Sequence, residues 1–489
     1  MVLIVGLSLA ALAVRAGPLG PVSLWLDDAW VGLVHRADEL EELRRIGSSA
    51  PGFALLLRSW LAIAGFDETT AQLLPLAAGT AAPGLAYVVA RRLRWSRLAA
   101  LVAGVVLVTS PLAIDYATRV KQYTLESVVA LVVVATAVWV LEDVGCRRRW
   151  TAFVAVGVLA TATSAFLASY VAAGLAAGVV AARRRGHVDA LWLALVAGAT
   201  WGAFAALWYV VVLAPIIPTS LTGFWSGHFL VLDDGLASAA RSVGDATTGV
   251  VEGLVPLPPL LTVVVVVAAT VVVAVRRLEV AVLLAAPLTV ALVLAALERA
   301  PLGGGRTDIY LYPSLALLVG GGADAVRRSV PGWRGAVVLA GACAVMAVAA
   351  RGPVPYPRQD VRPLVEVLEQ RARDDEAVLL YPATIWAYAL YTADDVELTP
   401  NERGAWGFVP TFADTSTFGL PPGRDDPAAY APIVARATAA VPRGGQLWLL
   451  ASHWRDDYAA LQERLGVAGF DRVEVVQEPG AELSRWRRR

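Results

Sequence analysis

Long apolar runs recur through residues 1–350 of this 489-residue chain and then stop. They lie near 1–15, 71–90, 98–114, 124–141, 151–164, 165–182, 189–213, 258–275, 279–297, 309–325 and 335–350. A helix needs about 20 mostly apolar residues to cross a bilayer core, and fewer where its flanks are polar. In hydrocarbon each backbone amide must be satisfied within the segment or a closed barrel, and runs of this length fit the helix. The sequence therefore predicts a polytopic α-helical membrane protein with about eleven transmembrane helices. The first run lacks a basic leader and a small-residue cleavage site, so it reads as a helix rather than a signal peptide.

Composition excludes other classes. Hydrophobic residues make up 57% and charged residues 17%, against about 25% charged in soluble domains. The formal charge is zero, which argues against a nucleic-acid binder. Two cysteines, Cys146 and Cys343, exclude a disulfide scaffold and a thiolate zinc cluster. The histidines His35, His187, His228 and His453 are scattered, with no metal-binding spacing. One lysine, Lys121, stands among 41 basic residues. In a chain this rich in Ala, Arg, Gly and Val, that lysine is either drift or a choice.

Arginine clusters set the expected orientation. They are Arg91, Arg92, Arg94 and Arg97; Arg147, Arg148 and Arg149; Arg183, Arg184 and Arg185; Arg276 and Arg277; Arg327, Arg328 and Arg334. They fall on every second loop, which makes those loops and the N-terminus cytoplasmic. Segments 16–70, 115–123, 214–257 and 298–308 then face outward, as does everything after 351. The expected division is a transmembrane domain over 1–350 and an extracytoplasmic domain over 351–489. In the first outer segment PGFALLLRSWLAIAG fits an interfacial helix. The outer loop 214–257 has a length usually associated with function.

After 351 the pattern changes. VRPLVEVLEQRA and WRDDYAALQERLG read as helices, and EAVLLYP, QLWLLA and RVEVVQ as strands. This predicts a small α/β domain. It has no glycine-rich phosphate loop after a strand, so no nucleotide site is supported. His453, Trp454, Asp456 and Asp457 in ASHWRDDYAAL are explained by a helix start alone. The tail RWRRR either binds anionic lipid or wall polymer, or only solubilises the end.

Three outer clusters carry possible chemistry. Asp27 and Asp28, in WLDDAW, sit at the expected membrane–water boundary. Repulsion and partial burial would raise one pKa, as a general base for an alcohol requires; the plainer account is a solvated helix cap. SPLAIDYATRVKQYTLES packs Asp115, Arg119, Lys121, Gln122, Tyr123 and Glu126 between two apolar runs. Cations there run against the inside bias and call for an anionic partner such as phosphate; the plainer account is an internal ion-pair cluster. GGGRTDIYLYP delivers Arg306 from a glycine stretch, with Tyr310 and Tyr312 expected in the interfacial aromatic belt; the plainer account is a loop with a snorkelling arginine.

Together these residues resemble the GT-C superfamily of membrane glycosyltransferases. The similarity lies in the acidic pair after the first helix, the SPL…KQY segment, the Arg…Pro motif entering a late helix and the C-terminal outer domain. It is strongest toward family 39-like enzymes, related to protein mannosyltransferases and aminoarabinose transferases. It covers residues 20–330 well and the tail loosely. The resemblance implies transfer of a sugar from a polyprenyl-phosphate donor in a bacterial cell envelope. Asp27 or Asp28 would deprotonate the acceptor hydroxyl. Lys121, Tyr123, Arg306 and Arg119 would hold the donor phosphate, and no metal or other cofactor is favoured. The acceptor is a lipid, a protein or a polysaccharide. A lone base with no nucleophile predicts inversion at the anomeric carbon. The outer loop would close over the site, with His228, Asp233, Asp234 and Glu126 as possible contacts. The chain departs from the family in having Asp–Asp where many relatives have Asp–Glu, and Arg119 where many have Glu.

Two other readings compete. A transporter or flippase for a lipid-linked saccharide predicts functional polar groups on both faces, whereas the cytoplasmic loops here are short and merely arginine-rich. A non-catalytic membrane scaffold predicts that Asp27, Asp28 and Lys121 are replaceable without consequence.

Overall fold

The computed structural model describes the chain apart from residues 48, 217–220, 233–234, 331–332, 351–358, 374, 394, 401–406, 414–415, 422–426 and 456. Each apolar run is helical, and one is broken in two. The first half contains α1 (Val2–Arg15), α2 (Leu26–Gly32), α3 (Leu40–Gly47), α4 (Pro51–Ala64), α5 (Glu68–Arg92), α6 (Arg97–Thr109), α7 (Pro111–Asp115) and α8 (Tyr123–Glu142). There follow α9 (Arg147–Thr163), α10 (Ala168–Arg184), α11 (Val188–Trp208), α12 (Leu221–Phe224), α13 (Leu236–Glu252), α14 (Pro259–Arg276), α15 (Leu278–Ala296), α16 (Tyr312–Ser329) and α17 (Trp333–Ala349). Among the described residues seven helices are long and apolar enough to cross a membrane, or up to nine if each bent pair is one span. The chain is a multi-pass membrane protein.

The run read as 98–114 is broken. Pro111 opens α7 behind an extended Ser110, and the two pieces diverge by 59°. A residue before proline is driven out of helical geometry, so the break is written locally. It turns residues 115–122 away from the direction of α6 and carries Arg119 and Lys121 toward α2. Tyr310 and Tyr312 depart from the aromatic-belt expectation. Both are buried inside the protein, because the segment Arg306–Ser329 is the most enclosed of the spans.

The C-terminal part begins with α18 (Arg362–Arg371) and mixes further helices with strands. Strands β1 (Ala377–Leu380), β4 (Thr417–Gly419), β5 (Gln446–Ser452), β6 (Phe470–Glu478) and β7 (Ala481–Arg488) form one sheet in the order β4-β1-β5-β7-β6. Strands β2 (Val396–Pro400) and β3 (Phe408–Phe412) pair as a separate antiparallel ribbon. Helices α19 (Ile385–Tyr391), α20 (Pro427–Ala440) and α21 (Asp457–Val467) complete it. The tail corrects the expectation of a free basic end. RWRR belongs to β7, paired between β5 and β6, with Trp486 buried and Arg485 bonded to Glu474 at 2.7 Å.

This part is not a separate bead on the membrane bundle. Leu33, Phe53 and Leu57 of the segment between α1 and α5 share one apolar core with Leu364, Trp386, Phe408 and Trp448. Polar ties cross the same seam: Tyr391 Oη accepts from the Leu24 amide at 2.7 Å, and Arg362 donates to buried Glu68 at 2.8 Å. Removing one partner of a buried pair leaves the other charge uncompensated, at a cost of roughly 3–5 kcal/mol. Arg362 is partly exposed, so Arg362→Ala should cost less, about 1–2 kcal/mol once solvent screening is allowed for. The loss should appear as a lower melting temperature in detergent and faster proteolysis after residue 350. An unchanged melting temperature would show that the apolar seam alone holds the two parts together.

Candidate functional site

Helix α2 leaves an extended Trp25 and places Asp27 and Asp28 in its first turn. Acidic residues suit that end of a helix. A plain solvated cap would nonetheless leave them wet, and here they are 5% and 3% exposed. The N-cap residue Trp25 makes no side-chain cap hydrogen bond. The pair is therefore buried for something other than helix termination.

Three cations converge on it. Arg119, extended just after the helical turn Tyr116–Thr118, donates to Asp28 at 3.3 Å. Arg306 forms an ion pair with Asp27. Lys121 is 6% exposed, acts electrostatically on both carboxylates, and lies 5.0 Å from the centre of the Trp30 ring. Among the described residues no carboxylate comes within ion-pair distance of its ammonium. Buried Lys121 and the partly exposed Arg119 and Arg306 thus gather around two buried carboxylates. Buried charge is costly unless paired, and the carboxylates here have cations beside them.

The glycine loop delivers Arg306 by necessity of backbone geometry. Gly303 and Gly305 have φ of 76° and 77°, a region that side chains disfavour. A Cβ on Gly249 of α13 would meet Gly303 at about 3 Å, so the loop also packs backbone to backbone. Asp308 locks it by accepting from the Gly305 amide at 3.1 Å. Arg306 is hydrogen-bonded to Tyr116 and sits 5.9 Å from the centre of the Trp225 ring, which lies between α12 and α13. Tyr123 stands edge-on to Tyr116 at 5.2 Å.

The two carboxylates are unequal. Burial raises the pKa of Asp28 above the usual carboxylate range, and Arg119 and Lys121 only partly offset it. Burial pushes Asp27 the same way, but Lys121 and Arg306 outweigh it and hold Asp27 below that range. Lys121 is lowered by its own burial, against the pull of both carboxylates. The balance at Asp27 thus depends on the two cations that an incoming anion would engage.

The remaining expected residues fall elsewhere. Glu126 lies within α8, fully buried, accepting from Ser164 at 2.6 Å. His228 stands beside Trp225, and its carbonyl accepts from the Leu302 amide, which braces the glycine loop. Asp233 and Asp234 lie outside the described residues. Reading the sequence passed over Tyr116 and discounted His453. That last residue stacks edge-on to Trp25 at 6.0 Å and acts electrostatically on Asp27. A place inside the charged SPLAIDYATRVKQY segment was the available sign for Tyr116. Nothing local marked His453.

No protein-family model and no curated protein matches the sequence. Solved structures match the fold. The apo structure of ArnT from Cupriavidus metallidurans aligns with a TM-score of 0.55 at 15% identity, over 99% of this chain and 97% of that one. The same protein bound to undecaprenyl phosphate aligns at 0.54 and 14%, over 99% and 97%. The archaeal oligosaccharyltransferase AglB from Archaeoglobus fulgidus, in complex with an inhibitory peptide and a dolichol-phosphate, aligns at 0.52 and 10%, over 99% of this chain and 74% of that one.

Proposed function

We propose that this chain, whose fold is that of the GT-C membrane glycosyltransferases, transfers a sugar from a polyprenyl-phosphate donor to an acceptor hydroxyl on the extracytoplasmic face. The observation that carries the reading is the cluster of buried Asp27, Asp28 and Lys121 with Arg119 and Arg306. Two structures of like fold were captured with polyprenyl-type phosphates, undecaprenyl phosphate in one and a dolichol-phosphate in the other. The alternation of arginine-rich loops supports the sidedness.

The donor phosphate binds Lys121 and Arg306, with Tyr116 and Tyr123 beside them. Arg306 then divides its charge between phosphate and Asp27, and Lys121 turns toward the phosphate. A carboxylate that loses its counter-charge becomes more basic, so donor binding itself readies Asp27. The acceptor oxygen attacks the anomeric carbon, and the bond from that carbon to the phosphate oxygen breaks. The electron pair leaves on the polyprenyl phosphate, where the two cations stabilise it. Asp27 takes the acceptor proton. A direct displacement of this kind inverts the anomeric centre. Asp28, held by Arg119, keeps α2 in register with the KQY segment. Lys121 and Arg306 supply the charge stabilisation, and this mechanism calls on no metal.

The test is consumption of a panel of radiolabelled polyprenyl-phosphate sugars by membranes carrying the wild type or the Asp27→Asn/Asp28→Asn double variant. Transfer from one donor that depends on the carboxylates establishes the reading and names the sugar. No consumption of any donor, with folded protein and crude envelope acceptor present, sinks it and moves the weight to transport or scaffolding.

A further inference from the structure

His453 stands on the turn after β5, in the C-terminal part, with φ of 48°. That region is uncommon for a side chain larger than glycine and costs about 1 kcal/mol or more. The backbone conformation is therefore maintained by its surroundings. The half-buried imidazole packs edge-on against Trp25 and acts electrostatically on Asp27. Its position is set by Gln359, which is itself buried. The Leu26 amide, at the start of α2, donates to Gln359 Oε1 at 3.5 Å. This fixes which way the side-chain amide points. Gln359 Nε2 then faces His453 Nδ1 at 2.8 Å.

An amide NH₂ only donates. His453 Nδ1 must therefore accept, and in the neutral ring the proton sits on Nε2. Protonating Nδ1 would set two donors face to face. Burial and Arg455 also work against a charged ring, and Asp27 alone pulls the other way. Among the described residues the Nε2–H has no hydrogen-bond partner. A tautomer held in place through a chain that starts at α2, on a ring that packs against Trp25 within electrostatic reach of Asp27, has the form of a substrate contact.

We propose that His453 is an acceptor-binding residue: its Nε2–H donates to an oxygen of the acceptor next to the hydroxyl that attacks. The acceptor class it selects carries vicinal oxygens, as a saccharide does, rather than an isolated alcohol. This rests on the transferase reading above. Donor phosphate is handled by Lys121 and Arg306, so the contact should act on acceptor binding alone.

The experiment uses the full-length protein, the labelled donor identified by the panel, and envelope extract titrated as the acceptor. His453→Ala and His453→Asn should raise the half-saturating amount of extract about tenfold, the effect of losing one hydrogen bond of roughly 1.4 kcal/mol, with the donor KM unchanged. His453→Gln places an amide donor near the position of Nε2 and should recover activity to within about threefold of wild type, by the same hydrogen-bond scale. Equal changes in both KM values, or a His453→Gln variant no better than His453→Ala, would leave His453 a packing residue and overturn the inference. An inactive Asp27→Asn beside a wild-type-like His453→Ala would sink this inference alone. A wild type that consumes no donor would sink both.

Discussion

Asp27→Asn should reduce sugar transfer about 10³-fold while leaving polyprenyl phosphate binding intact, as expected for removal of a general base. The substitution keeps the size and shape of the side chain and one oxygen to accept from Arg306. What it removes is the charge and the capacity to take a proton. In the resting protein Asp27 is held below the usual carboxylate range by Lys121 and Arg306. Without its charge both cations are freer for phosphate, so binding should hold or tighten. The pairing of lost turnover with undiminished binding separates a base from a structural carboxylate. Turnover is read with the radiolabelled donor, and binding from the rise in melting temperature produced by undecaprenyl phosphate. Asp28→Asn serves as the internal comparison. Normal turnover in Asp27→Asn with complete loss in Asp28→Asn would reassign the proton to the second carboxylate. Normal turnover in both would dismiss the acidic pair from the chemistry.

The parts of this protein that could be read from sequence are those governed by short-range rules. A run such as 124–141 has the length a bilayer demands, and it is a helix from Tyr123 to Glu142. The strands EAVLLYP and QLWLLA announced themselves as short aliphatic and aromatic runs, and they lie side by side in parallel as β1 and β5. The three charged segments meet as well, because each sits where a span ends on the same side. Which cation meets which carboxylate was not legible. Arg306 reaches Asp27 across 279 residues and Arg119 reaches Asp28 across 91, and only the packed helices decide that exchange. Gln359 and His453 were invisible for the same reason: their role depends on the Leu26 amide, far away in the chain. The strand β7 was mistaken for a tail because arginines at its end outweigh the signal of Leu483 and Trp486, the residues that bury it.

Lys121→Met should weaken polyprenyl phosphate binding by about 10–100-fold while leaving the unliganded protein as stable as wild type or more so. The two halves of that expectation have separate causes. A hydrogen bond to a charged group contributes roughly 1.5–3 kcal/mol, and Lys121 is the cation of the pocket that the described residues leave without a close carboxylate. An ammonium buried in this way costs the folded state free energy, and methionine fills a similar volume without the charge. The resting protein therefore loses a burden, and the complex loses an anchor. Arg306→Ala makes the contrast. It also weakens phosphate binding, but it strips Asp27 of its ion pair and should lower the melting temperature of the unliganded protein. Melting curves of both variants with and without undecaprenyl phosphate measure all four quantities. A Lys121→Met protein that binds phosphate normally would show that the lysine only packs on Trp30. One that loses stability without ligand would show that its charge holds α2 to the KQY segment, and the anion-receiving pocket would then have to be rebuilt around the arginines.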